Sequence, residues 1–279
     1  MAGKLYVVGT PIGNMSDMSP RAVETLAKVD FIAAEDTRVS AKLLTHFGIK
    51  KPMISYHKFS AEQREQDIID RIMDGESCAV ITDAGMPCIS DPGEQLVKQC
   101  RDCGIEIESV PGPSALITAL SVSGMDTARF SFEGFLSVTK KQRDKHLKEI
   151  KDMPHTLIFY EAPHKLKNTL RDLLDALGDR PAALCRELTK LHEEVMRSTL
   201  SELNAYYEEN TPRGEYVIVV QGNYKSADTE EMTLAEAAQK AAELAAGGMK
   251  PAEACRQAAL NTSYKKSEVY KEYLKTYNT

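Results

Sequence analysis

The sequence predicts an α/β protein made of two α/β domains and a small C-terminal helical segment. Three observations lead there. Short apolar runs alternate with helix-like runs through the first 110 residues, three of the strand-like runs end in loops rich in Gly and Pro, and an Ala-rich tail opens on a capping-box spacing. Strands alternating with helices are the pattern of βαβ units and a parallel sheet.

In chain order, strand Leu5–Val8 precedes a helix over Pro20–Lys28, where Ser19 can cap and Pro20 suits the first turn. Strand Phe31–Ala34 leads to a helix over Val39–Phe47, closed by Gly48, and strand Met53–Tyr56 to a helix over Ala61–Met73. Strand Ala79–Thr82 leads to a helix over Glu94–Cys103, closed by Gly104, and then to strand Glu106–Val110. Glycines just past a helix end supply the left-handed residue that terminates it. These elements define a first domain over residues 1–112.

The second domain, residues 113–225, reads as helix 113–123, strand Phe130–Phe135, charged helix Lys140–Lys151, strand Thr156–Tyr160 and helix Lys165–Leu177. Strand Ala182–Glu187, helix Ser201–Glu208 and strand Glu215–Gln221 follow. The tail, 226–279, contains Thr233-Leu-Ala-Glu236, a capping box, ahead of helix 234–246. Pro251 can open a second helix and Ser263 can cap a third, so a helix-turn-helix arrangement is a candidate there.

Composition excludes several classes. The 279 residues are 42% hydrophobic and 27% charged with no low-complexity tract, which is the balance of a folded globular chain. With 35 Lys and Arg against 41 Asp and Glu, net −6, indiscriminate nucleic-acid binding is disfavoured, although local basic patches can still grip a shaped RNA. The six cysteines are scattered, and Cys100-Arg-Asp-Cys103 lacks a second pair at zinc-ligand spacing, so no metal is expected. The chain opens on a strand, and no apolar run approaches the ~20 residues of a membrane span, so a reducing, cytoplasmic setting without membrane contact is expected.

The densest chemical signal is Ile81-Thr-Asp-Ala-Gly-Met-Pro-Cys-Ile-Ser-Asp-Pro-Gly93, where Asp83 and Asp91 follow a strand and Gly85, Pro87, Pro92 and Gly93 restrict the backbone. Leu5–Asn14 and Ile105–Ser114 repeat the strand-then-Gly/Pro pattern. Ligands in open α/β sheets bind outside the carboxyl ends of the strands, so three such loops point to one shared pocket. Neither G-x-x-x-x-G-K-[ST] nor G-x-G-x-x-G is present, which disfavours a P-loop or a standard dinucleotide site.

Eight motifs in order carry a family resemblance over nearly the whole chain. They are Val7–Asn14 (VVGTPIGN), Ala34–Arg38 (AEDTR), Ser55–His57 (SYH), Thr82–Gly93 (TDAGMPCISDPG), Val110–Ala115 (VPGPSA), Phe159–His164 (FYEAPH), Cys185–Lys190 (CRELTK) and Arg213–Val217 (RGEYV). The set resembles the small-subunit ribosomal RNA methyltransferase I family, a branch of the tetrapyrrole-methylase superfamily of S-adenosylmethionine-dependent enzymes. The resemblance implies the tetrapyrrole-methylase fold with its active site in the interdomain cleft, and 2′-O-methylation of a cytidine in the decoding region of 16S rRNA in the small ribosomal subunit. It also implies a homodimer. Its cofactor positions fall on Gly9, Ile12, Asp83, Gly85, Met86, Ile89, Ser114, Ala115, Tyr160, Cys185, Glu215 and Tyr216.

Methyl transfer to a ribose hydroxyl is an in-line displacement that needs alignment and an acceptor for the hydroxyl proton. Asp36, Glu35, Asp83 and Glu161 are the candidate bases, with Asp36 favoured because it follows a strand on the shared rim and Arg38 lies close by to take a phosphate. An N-cap role for Asp36 is the structural alternative, and a strut is the alternative for Glu161. RNA contact is expected from Arg38, Lys42, His57, Lys58 and Arg64, and from the basic run that includes Lys140, Lys141 and Arg143. Two rival functions share these residues: methylation of a corrinoid or other tetrapyrrole, and noncatalytic rRNA binding during ribosome assembly.

Overall fold

The computed structural model describes residues 3–57, 62–91, 93–223, 232–260, 262 and 264–277, with Glu62 and Gln63 as backbone only. The chain divides into two compact units, Met1–Gly222 and Asn223–Thr279.

The first unit holds two five-stranded sheets. The first sheet is built from β1 (Lys4–Val8), β2 (Phe31–Ala34), β3 (Met53–Ser55), β4 (Cys78–Ile81) and β5 (Glu106–Val110), in the order β3-β2-β4-β1-β5 with every pair parallel. β2 and β4 are buried along their whole length, as continuous apolar runs in a parallel sheet require. The crossovers are α1 (Pro20–Lys28), α2 (Thr37–His46), α3 (Glu62–Met73) and α4 (Gly93–Asp102). Ser19 caps α1 by accepting from Ala22 N at 3.1 Å, with Pro20 in the first turn. Gly48 and Gly104 take φ of 67° and 72° just past α2 and α4.

The second sheet consists of β6 (Phe130–Phe135), β7 (Thr156–Glu161), β8 (Pro181–Arg186), β9 (Glu194–Thr199) and β10 (Tyr216–Val220), ordered β6-β7-β10-β8-β9. Only β6 and β7 run parallel; the other neighbours are antiparallel. Its helices are α5 (Ala115–Ser123), α6 (Lys140–Ile150), α7 (Leu166–Leu177) and α8 (Leu200–Glu209). The period-two alternation of β10 divides it between two cores. Tyr216, Ile218 and Val220 pack with the leucines of α6, α7 and α8, while Val217 and Val219 pack with Leu116, Ala119 and Leu120 of α5. α5 therefore belongs to the second sheet, and the expected boundary at 112/113 falls in the connection between β5 and α5.

Two differences from the sequence reading stand out. β9 was not expected, because Glu194-Val-Met-Arg-Ser-Thr199 is a partly exposed edge strand without a clear apolar face. α2 begins at Thr37, two residues before the expected start, which places Asp36 at its N-cap.

The second unit comprises α9 (Leu234–Ala246), α10 (Pro251–Ala259) and α11 (Lys266–Tyr277) around a small core of Ala237, Ala241, Cys255 and Val269. The capping box forms as read: Glu236 N donates to Thr233 Oγ1 at 3.3 Å, and Thr233 N donates to Glu236 Oε2 at 2.7 Å. Ser263 lies outside the described residues. Among the described residues no helix is long and apolar enough to cross a membrane.

Candidate active site

The carboxyl ends of β1, β4 and β5 are tied together by their loops. Thr10 N donates to Gly85 O at 2.9 Å and Gly85 N returns a bond to Thr10 O at 3.2 Å. Thr10 Oγ1 adds a bond to Thr82 O at 3.1 Å. Gly9 N donates to Val110 O at 3.0 Å, and Gly112 N approaches Met86 Sδ at 3.2 Å. A Cβ on Gly9 would stand 2.6 Å from Gly112 Cα, so two strand-end loops cross at a point with no room for a side chain.

Above that crossing lies a cavity of about 370 Å³, inside the range of about 300–1,000 Å³ usual for small-molecule sites. Its apolar surface comes from Ile12, Met86, Ile89, Ala115, Tyr160 and Val217, so both sheets contribute. Tyr160 Oη accepts from Leu116 N at 3.1 Å, which fixes the ring against the start of α5. Asp83, Gly85, Ser114, Cys185, Glu215 and Tyr216 complete the contribution of the expected cofactor positions. Gly9 is the exception. It sits at the loop crossing and does not line the cavity, because Gly112 and Met86 occupy the space beside it.

The polar wall is strongly acidic. Glu35, Asp83, Asp91, Glu161, Glu187 and Glu215 line the cavity, and Lys190 is the one cation among the described lining residues. Glu35 Oε2 accepts from Thr82 Oγ1 at 2.5 Å and from Asp83 N at 3.4 Å; Asp83 Oδ1 accepts from Asp36 N at 3.2 Å. Partial desolvation, and then the charge of Glu35, raise the pKa of Asp83 from its ordinary value. Burial also raises Asp91, whose Oδ1 accepts from Cys88 N at 3.0 Å and Gly93 N at 2.8 Å.

The other three candidate bases have different surroundings. Asp36 lies outside the cavity: Oδ1 caps α2 by accepting from Arg38 N at 2.8 Å, and Oδ2 accepts from Arg38 Nη2 at 2.7 Å. The Arg38 hydrogen bonds hold its carboxyl at about 2. Glu161 lines the cavity but is buried, with Oε1 accepting from Ala162 N at 2.8 Å and Oε2 from Thr169 Oγ1 at 2.5 Å, the bonding of a strut. Glu35 reaches the cavity and adjoins Asp83.

The expected RNA contacts also divide. His57, Arg64, Lys140 and Lys141 are exposed, and Arg38 is exposed but paired with Asp36. Lys58 lies outside the described residues. Arg143 faces inward: Nε meets Asp172 Oδ2 at 2.6 Å and Nη1 donates to Ser137 O at 2.9 Å, so packing between α6 and α7 takes the place of the expected RNA contact.

Sequence reading missed Glu187, Leu188 and Lys190 as cavity residues, although their motif had been singled out. Among the described residues four non-glycines have φ in the left-handed region, and all four sit in two loops that reach the cavity: Cys88 and Ser90 at 72° and 68°, Glu187 and Thr189 at 51° and 66°. Such conformations cost of order 1–3 kcal/mol each and cluster at functional sites.

Comparison with known proteins agrees with this architecture. The profile of the tetrapyrrole (corrin/porphyrin) methylases matches residues 4–204. The chain is similar to the ribosomal RNA small subunit methyltransferase I of Synechocystis sp., at 45% identity over 96% of each chain. It is also similar to the protein of that name from Halalkalibacterium halodurans, at 44% identity over 97% of this chain and 94% of the other. Among solved structures, uroporphyrin-III-C-methyltransferase from Thermus thermophilus superposes with a TM-score of 0.57 at 21% identity, covering 80% of this chain and 96% of that one, which shows the shared fold.

Proposed function

Because the chain belongs to the tetrapyrrole (corrin/porphyrin) methylase family, we propose that it transfers a methyl group from S-adenosylmethionine to the 2′-hydroxyl of a cytidine in the decoding region of 16S rRNA. The observation that carries the acceptor class is the 45% identity, over 96% of each chain, to a relative whose name specifies small-subunit ribosomal RNA.

The cavity fits the cofactor. Gly85, at φ 88° with Ile12 Cγ2 3.3 Å from where its Cβ would lie, lets backbone form part of the wall. Ile12, Met86, Ala115, Tyr160 and Val217 offer an apolar bed for an adenine, while Asp83 and Asp91 supply negative charge to complement a cation. When bound, S-adenosylmethionine supplies an electrophilic methyl group on a positively charged sulfonium.

The chain's own residues must align the acceptor and receive its proton. Glu35 and Asp83 suit the second task better than Asp36. They are adjacent carboxylates on the cavity wall, and Asp83, whose pKa is raised where that of Asp36 is lowered, is a stronger base than Asp36. Asp36 at about 2 is a weak base and already satisfies Arg38. It acts instead on the wall behind, donating its backbone N–H to Asp83 Oδ1. Exposed Lys140 and Lys141 can meet RNA phosphates outside the cavity.

Mapping ribose methylation in small-subunit rRNA from cells with and without this gene tests the reading. Loss of one 2′-O-methylcytidine supports it. An unchanged rRNA map together with methylation of a tetrapyrrole by the purified protein would move the function to the rival class.

A further inference from the structure

Lys190 is held in a site built around it. The loop carrying it is in the left-handed region at Glu187 and Thr189, and Thr189 Oγ1 is buried without a hydrogen-bond partner among the described residues. Two glycines from other loops leave the space the pair occupies. A Cβ on Gly13 would fall 2.5 Å from Lys190 Cγ, and one on Gly214 would fall 2.5 Å from Glu187 Cγ.

The ammonium has two unequal partners. Glu187 Oε1, 2.9 Å from Nζ, is mostly shielded at 21% side-chain exposure, and it also accepts from Glu215 N at 3.0 Å. Glu215 Oε2, 2.8 Å from Nζ, belongs to a side chain that is 76% exposed. An exposed ion pair is worth little in water, so the Glu215 arm can be given up at small cost while Glu187 keeps the ammonium in place.

An RNA acceptor must bring backbone phosphate to a cavity whose described lining has six carboxylates and this single cation. We infer that Lys190 is an acceptor-binding residue that exchanges the Glu215 carboxylate for a backbone phosphate of the RNA at the cavity mouth. This inference rests on the RNA-methylation reading and names a residue of its acceptor site. Glu187 is the positioning residue that holds the ammonium, and Glu215 competes with the phosphate until RNA arrives.

The test uses the full-length protein, small ribosomal subunits from cells lacking the gene, and the variants Lys190→Gln, Lys190→Arg and Glu215→Gln. Steady-state methylation at several salt concentrations, cofactor titration and thermal melting are measured for each. Loss of one charge-assisted contact predicts about a tenfold rise in KM for subunits in Lys190→Gln and a shallower salt dependence by about one phosphate contact. Cofactor affinity should stay near the parent's, and Lys190→Arg should recover most of the loss. Glu215→Gln should lower KM at saturating cofactor, because it removes the competitor.

An unchanged KM and salt slope in Lys190→Gln would overturn the inference. So would a loss confined to cofactor affinity, or a Glu215→Gln variant impaired in the same way as Lys190→Gln, as a purely structural bridge requires. If the parent itself fails to methylate subunits, the underlying reading falls and the inference with it.

Discussion

Gly9 and Gly112 cross so closely that a Cβ on Gly112 would stand 2.8 Å from Gly9 Cα and 2.9 Å from its carbonyl carbon. The contact joins the ends of β1 and β5 beneath the cavity. Gly112→Ala has only backbone to push against, and overpacking of this kind costs about 1–3 kcal/mol. It should lower the melting temperature and weaken cofactor binding together. A variant that matched the parent in both would show that the crossing is slack.

Gly85 and Ala115 bear on the cavity directly. Gly85→Val introduces a β-branched residue at φ 88° with Ile12 Cγ2 in the way, and Ala115→Leu fills the apolar wall. Each should reduce S-adenosylmethionine affinity by at least about tenfold, the loss expected when about 1.4 kcal/mol of contact is removed. Parent-like affinity in both, measured by calorimetry, would place the cofactor elsewhere.

Much of this geometry is legible in the sequence, for identifiable reasons. The buried runs Phe31–Ala34 and Cys78–Ile81 and the Gly/Pro loops are local signals, and they mark both the parallel sheet and the edge that carries the cavity. The antiparallel order around β10 is a tertiary choice that local periodicity does not encode. β9 is an edge strand without a clean alternation, and it escaped for that reason. Glu187 and Thr189 escaped because a left-handed non-glycine residue leaves no mark in the sequence. Asp36 follows β2 at the carboxyl edge of the sheet, and whether such a residue faces the cavity or caps a helix depends on where α2 begins.

The carboxylates should separate by role. Glu35→Gln and Asp83→Asn should each slow single-turnover methyl transfer by about 10²-fold, within the range of lost proton-transfer catalysis. Asp36→Asn should keep a rate within a few-fold of the parent, since Asn caps about as well as Asp. If Asp36→Asn alone abolished turnover, the proton would have to pass through it. If Asp83→Asn lost only cofactor affinity, Asp83 would be a cofactor ligand and not a base.

Asp36 also makes a prediction about pH. Its folded pKa, about 2, lies below the ordinary value of 3.8, so the charged carboxylate favours the native state above about pH 4, and that contribution is lost as pH falls toward 2. Thermal melts of parent and Asp36→Asn should therefore converge as pH drops from 5 to about 2. A constant difference across that window would remove the Arg38 pairing as its source.

Arg143 and its neighbours on α6 should behave oppositely. Arg143→Ala breaks a mostly shielded pair with Asp172 and should destabilise the fold by about 1–3 kcal/mol, below the cost of breaking a fully buried pair. Lys140→Ala combined with Lys141→Ala should leave stability within about 0.5 kcal/mol, as exposed substitutions do, and raise KM for subunits. Denaturant titration and subunit kinetics on the same samples distinguish these outcomes.

Transfer of a labelled methyl group from S-adenosylmethionine to small ribosomal subunits lacking the modification, with the purified protein and nucleotide-level mapping of the product, decides whether this protein is a 2′-O-methyltransferase of 16S rRNA. A single labelled cytidine in 16S rRNA, carrying the methyl on its 2′-oxygen, is the expected product. Label on a base, on another nucleotide, or nowhere on the subunit would contradict it.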